Sequence, residues 1–226
     1  MQAFILPLME AFEQNANPAY AERMSRYMKS KFKFYGINSP LRKDLVRAHI
    51  KMFGYPHPNK LHDIISDCWH LPFREFQYTA IELWIKYSKE FLPQDAKLME
   101  WCIINKSWWD TVDTLATNIA GSFFKHYPNL IIPVSGNWIH SENIWLRRTA
   151  LLFQMKYKMQ TDEELLYKYI RMQSHEKAFF IKKAIGWALR EYSKTNQESV
   201  ERFISENTLQ PLSKKESLKW IMRLKY

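Results

Sequence analysis

The stretch AIELWIKY, Ala80 to Tyr87, returns three times with its two ends intact. AGSFFKHY runs from Ala120 to Tyr127, ALLFQMKY from Ala150 to Tyr157, and AIGWALREY, one residue longer, from Ala184 to Tyr192. The tyrosines follow one another at intervals of 40, 30 and 35 residues. A recurrence of about that length marks stacked helix pairs, none of which buries its apolar face alone. Alanine and tyrosine also suit ordinary helix packing, but four instances with similar flanks favour a repeat. The chain therefore reads as all-α: a single right-handed α-solenoid of HEAT-like antiparallel helix pairs over residues 1–226. Its concave basic groove is the expected binding surface.

The rest of the chain agrees. NSPLRKDLVRAHIKMF places Ser39 as a helix N-cap with Pro40 at the first helical position. SKEFLPQDAKLMEW, TDEELLYKYIRMQ and SKKESLKWIMRL carry similar start signals, followed by apolar residues three and four apart. Only LIIPV, Leu130 to Val134, has the composition of a strand, and Pro133 argues against one. Five glycines in 226 residues are too few for a protein of sheets and tight turns, or for a glycine-rich phosphate loop.

Lysine and arginine total 33 against 23 acidic residues, a net charge of +10. Such a surplus attracts polyanions, although a basic surface can also be inert. Cys68 and Cys102 form no CxxC pair and sit beside Trp69 and Trp101, so both read as reduced, buried thiols. No uninterrupted apolar run approaches membrane-spanning length. MQAFILPLMEAF lacks a basic leader, and a cytoplasmic protein is expected.

Two adjacent tryptophans in SWWDTVD, Ser107 to Asp113, cannot both face one core. At 100° per residue, Trp108, Val112, Leu115 and Ile119 form an inward stripe, while Trp109 and Asp113, four apart, share its rim. A half-buried tryptophan beside a solvated aspartate is the bland alternative. In FFIKKAIGWALREY the core face is Ile181, Ala184, Ile185, Ala188, Leu189 and Tyr192. Lys182, Lys183, Gly186 and Arg190 lie opposite, and Trp187 falls beside Lys183 and Arg190. A large aromatic on a basic face suits a ligand better than a core. Gly186 there leaves room for a phosphate backbone; the alternative is a tryptophan covered by a neighbouring loop. NIWLRRTALLFQMKYK puts Arg148 and Lys156 on one strip with Trp145 and Leu152, facing the same way as phosphate contacts should. A solvated charge strip explains that pattern equally. Arg42 and Lys43 follow the helix start at Ser39, where a phosphate fits as well as an ordinary cap does.

Histidine spacing shows no HExxH and no metal cluster, and neither a GxSxG elbow nor a Walker loop is present. RYMKSKFKFYGINSPLRK, WHLPFREFQ, NKSWWDTVD, ENIWLRRTALLFQMKYK, FFIKKAIGWALREYSKTN and LQPLSKKES together resemble the AlkD-type DNA glycosylases, the HEAT-like-repeat branch of DNA alkylation repair. The likeness runs from about residue 23 to the C-terminus. Asn38 stands where the family pattern has a longer amide, and Arg147 doubles an expected single arginine. The resemblance implies that Trp109, Asp113 and Trp187 form the active constellation on the concave face. It implies too that Arg148 holds backbone phosphate near the lesion and that Tyr27 is an aromatic close to it. The implied substrates are N3- and N7-alkylated purines in double-stranded DNA, cut without lyase activity and without a base pocket, by a monomer.

The residue types suit that chemistry. Alkylation makes the purine a cation and a good leaving group, so little general-acid help is needed. What remains is to stabilise an oxocarbenium-like sugar and direct water at C1′, and one carboxylate serves both ends. Tryptophan faces attract cations, with about 0.5–2 kcal/mol per contact. No metal or organic cofactor is expected. Two alternatives stay open: a non-catalytic binder of damaged, bent or branched DNA using the same basic residues, and a HEAT-type protein scaffold.

Overall fold

Ala80, Ala120, Ala150 and Ala184 are all buried, and the tyrosine that closes each segment is tied backwards along the chain. The Tyr87 hydroxyl donates to the Pro56 carbonyl, Tyr127 to Phe91 at 2.6 Å, and Tyr157 to Gly121 at 2.7 Å. Tyr192 donates to the Glu163 carboxylate at 2.8 Å. The recurrence in the sequence is thus a repeated staple: a buried alanine opens each segment, and the closing tyrosine reaches 29 to 36 residues back along the chain. Burial pushes the phenols of Tyr87, Tyr157 and Tyr192 above their ordinary pKa, which keeps them as donors.

The structure, a computed structural model, describes residues 4–223. Among these there is no β-strand; one isolated parallel bridge joins Lys33 and Phe73. Two compact units are distinguished, Met1–Glu90 and Phe91–Tyr226. The first contains α1 (Leu6–Gln14), α2 (Pro18–Tyr27), α3 (Ser39–Phe53), α4 (Leu61–His70) and α5 (Arg74–Lys86). Phe12, Trp69, Phe76 and Trp84 fill its core. Asn17 and Asn38 cap α2 and α3 through their side-chain oxygens. The cap of α3 is therefore Asn38, with Ser39 and Pro40 inside the helix: the amide oxygen reaches the Leu41 N–H at 3.0 Å. Gly36 makes the turn before it at φ +84°, where a Cβ would meet the Asn17 carbonyl oxygen at 2.1 Å. Buried Glu75 accepts from the Gly36 and Ile37 N–H groups and anchors that turn.

The second unit contains α6 (Asp95–Ile104), α7 (Trp109–Thr114), α8 (Gly121–His126), α9 (Gly136–His140) and α10 (Ile144–Leu152). It continues with α11 (Glu163–Gln173), α12 (Phe179–Tyr192), α13 (Gln197–Glu206) and α14 (Pro211–Arg223). Asp162 and Asn196 cap α11 and α13. The start signals at Ser88 and Ser213 mislead: the first lies in a short 3-10 turn before α6, the second inside α14, which begins at Pro211. Leu224, at the end of that predicted helix, lies outside the described residues. LIIPV is helical, a 3-10 turn running into a π turn over Ile131–Ser135. Phe123, Phe124, Trp138, Phe153, Ile181 and Leu189 are fully buried. α12 packs on α10, α11, α13 and, most extensively, α14. Cys68 and Cys102 are free, buried thiols, and burial raises both well above the usual thiol pKa.

Candidate active site

α7 begins one residue later than its apolar spacing suggests. Trp108 is extended, at φ −160° and ψ 162°, and precedes the helix. It is half-buried in an aromatic cluster, with ring centroids 5.6 Å from Trp145 and 5.1 Å from Phe180. Val112, Leu115 and Ile119 face the core as expected, so only Trp108 departs from the predicted stripe. Trp109 and Asp113 stand one turn apart on α7, both half-buried, and share a face. A π turn, Leu115–Ala120, follows immediately; such turns concentrate at functional sites because they re-aim side chains. Within it, Thr117 Oγ1 donates to the Asp113 carbonyl at 2.8 Å and Asn118 Nδ2 to that of Thr114 at 3.1 Å.

Arg148 departs most from the sequence reading. Trp145, Arg148 and Leu152 are buried, and Lys156 alone of that strip is exposed. The helix ends at Leu152 and tightens into a 3-10 turn, Phe153–Lys156, so the helical spacing that joins Arg148 to Lys156 is broken. The Arg148 side chain, 1% exposed, forms a two-pronged ion pair with Asp113, Nε to Oδ1 at 2.6 Å and Nη2 to Oδ2 at 2.9 Å. Its Nη1 donates to the Phe180 carbonyl, and its Cζ lies 5.0 Å from the centroid of Trp187. Asp113, guanidinium and indole thus form one contiguous stack across α7, α10 and α12. A carboxylate has about four lone-pair positions. Arg148 takes two, and Asp113, 23% exposed, keeps the others for water or a ligand.

Trp187 is half-buried, with Lys183 Nζ 5.6 Å from its centroid. The opposite side of α12 is not open. α14 covers Gly186, where a Cβ would lie 2.4 Å from Glu216 Cβ and 2.9 Å from the Ser213 carbonyl oxygen. Gly186 therefore admits a helix rather than a phosphate backbone, a correction that spacing within α12 alone could not supply. Lys183 and Arg190 both donate to buried Glu216, at 2.8 and 3.0 Å. Lys182 is half-buried, and its carbonyl accepts from Ser213. Lys156 is exposed and donates to the Asn118 amide oxygen at 2.5 Å. Arg147, beside the key arginine, is engaged by Glu176 at 2.9 Å and by the Ser141 carbonyl.

Three predicted contacts belong to the first unit. Arg42 is buried and paired bidentately with Glu82, both bonds 2.8 Å. Lys43 lies 4.0 Å from the same carboxylate with more than half its side chain exposed. Tyr27, the last residue of α2, is 70% exposed. Sequence reasoning missed Glu216 entirely, although lysines flank it in SKKESLKW; it missed the Trp108–Trp145–Phe180 cluster because that joins three separate segments. Among the described residues there is no grouping of His, Cys, Asp and Glu fit for a metal, and no helix long and apolar enough to cross a membrane.

The chain matches, over residues 8–221, the family described as "DNA alkylation repair enzyme". A solved structure, "Predicted DNA alkylation repair enzyme from Enterococcus faecalis", is 35% identical to it, with a TM-score of 0.84. The match covers 91% of this chain and 96% of that one. No curated protein matches the chain.

Proposed function

The chain belongs to the DNA alkylation repair enzyme family, and from that premise we propose that it is a monofunctional DNA glycosylase. It hydrolyses the N-glycosidic bond of cationic N3- and N7-alkylated purines in duplex DNA, 3-methyladenine and 7-methylguanine among them. The observation that supports this reading is the chain of Asp113, Arg148 and Trp187: a carboxylate locked in one orientation by a guanidinium whose Cζ lies 5.0 Å from the centroid of an indole.

In this reading the C1′–N bond breaks first and its electron pair goes to the already cationic purine, which leaves neutral. Positive charge builds on the sugar. Asp113 meets that charge, and Trp109 and Trp187 offer their faces to it. A water held at the open lone pairs of Asp113 attacks C1′, and its proton passes to solvent. Arg148 keeps the carboxylate aimed, which removes the cost of ordering it at the moment of reaction. Tyr27, Lys43, Lys156 and Lys182 are the proposed DNA contacts.

One observation favours a second reading. Asp113 already has its charge answered by Arg148, which suits a non-catalytic binder of damaged or bent DNA. Incubating the purified protein with methylated duplex, without heating, decides between them. Released 7-methylguanine and 3-methyladenine support the glycosylase; binding without release supports the binder.

A further inference from the structure

Two cations lie over Trp187, and each has a carboxylate of its own. Arg148, 5.0 Å from the ring centroid, is held by Asp113. Lys183, 5.6 Å away, is held by Glu216 at 2.8 Å. Glu216 is 3% exposed and also receives Arg190 and, from its own helix, Lys219 at 2.6 Å. It reaches this place only because Gly186, one residue before Trp187, has no side chain to hold α14 off.

We infer that Glu216 is a positioning residue of the Trp187 site, anchoring Lys183 and offsetting its charge so that the indole still receives a cationic sugar or base. The inference rests on the glycosylase reading of Trp187. An indole face attracts a cation weakly, and an unanswered ammonium on the same ring repels one over a comparable distance. Glu216 is one carboxylate among three cations, so its loss raises the local charge from +2 to +3 and unties Lys183 as well. Burial works against its ionised form, but hydrogen bonds from Lys183 and Lys219 outweigh that and pull its pKa down to about 2. The carboxylate is therefore charged throughout the neutral range.

A purely structural strut between α12 and α14 would behave differently, since its loss would weaken DNA binding and base release together. The test compares wild type, Glu216→Gln and Glu216→Gln/Lys183→Met. It measures single-turnover release of 7-methylguanine, and the salt dependence of binding to unmodified duplex. Glu216→Gln should bind DNA more tightly, with a log–log salt slope steeper by up to about 0.9 per freed cation that meets a phosphate, yet release base about tenfold more slowly. The double variant should recover most of the lost rate. Binding and release that fall together, or a slow variant that Lys183→Met does not rescue, overturn the inference. Should Glu216→Gln fail to fold, Lys183→Met alone decides: release about twofold faster supports it, and release that is not faster overturns it. Wild-type protein that releases no base overturns the glycosylase reading and this inference together. Wild-type release unchanged in Glu216→Gln overturns the inference alone.

Discussion

Arg148 grips both oxygens of Asp113 from a buried position, 35 residues further along the chain, with Nε at 2.6 Å and Nη2 at 2.9 Å. The pair is an orienting device, and it makes the two residues one functional unit. Asp113→Asn should slow base release about 100-fold or more, and Arg148→Met nearly as much. The double variant should lose little beyond either single one, because both remove the same arrangement. Single-turnover rates on methylated duplex measure this cycle, and losses that simply multiply would show two independent roles. Asp113→Ala leaves a buried guanidinium unanswered and should cost up to about 3–5 kcal/mol of stability. The asparagine variant, which keeps one acceptor, should cost less in urea denaturation.

Lys156 is the predicted phosphate contact whose hydrogen bond among the described residues is to a neutral amide, that of Asn118. Lys156→Ala should weaken binding to any duplex sequence and lower the log–log salt slope by about 0.9. Arg148→Met, which removes a charge already matched by Asp113, should leave that slope nearly unchanged. Fluorescence anisotropy titrations at several salt concentrations separate the two; equal slope changes would contradict the ion pair.

Gly186→Ala sets helix propensity against space. Alanine is favoured over glycine in a helix interior by about 1 kcal/mol. Its methyl would overlap Glu216 Cβ at 2.4 Å and the Ser213 carbonyl oxygen at 2.9 Å, and overpacking of this kind costs about 1–3 kcal/mol. The expected net effect is a lower denaturation midpoint with an unchanged slope, and a gain in stability would show that α14 shifts freely on α12.

Acid should weaken the grip of α14 on α12 within a defined window. The Glu216 pKa is about 2 in the folded protein against 4.5 for an ordinary glutamate. A folded pKa below the unfolded one adds stability that is fully present above about 4.5 and is lost as the pH falls towards 2. Denaturation midpoints measured across that range should decline, and Glu216→Gln should flatten the decline.

Features that repeat or alternate were readable in the chain; features that depend on a distant partner were not. The alanine–tyrosine recurrence became a set of buried alanines and stapled tyrosines because one packing problem is solved four times. Val112, Leu115 and Ile119 were found by period alone. Periodicity does not say where a helix starts, so it cannot place Trp108, the extended residue before α7 whose ring lies against Trp145 and Phe180. Arg148 looked like a surface cation since nothing near it in sequence shows that Asp113 faces it across two helices. Gly186 reads as an opening within α12 alone, because α14, which begins 25 residues later, packs against it only in the folded chain. Asn38 outranked Ser39 as the cap for a local reason, the reach of its amide to Leu41.

The tyrosine ties carry a consequence for how the molecule is made. Each spans only about one repeat, with sequence separations of 31, 36, 36 and 29 residues. Every acceptor lies on the N-terminal side of its donor, so a chain emerging from the ribosome always has the acceptor in place before the hydroxyl arrives. Ties of this kind suit stepwise folding during synthesis, in which the finished part of the protein is the template for the next.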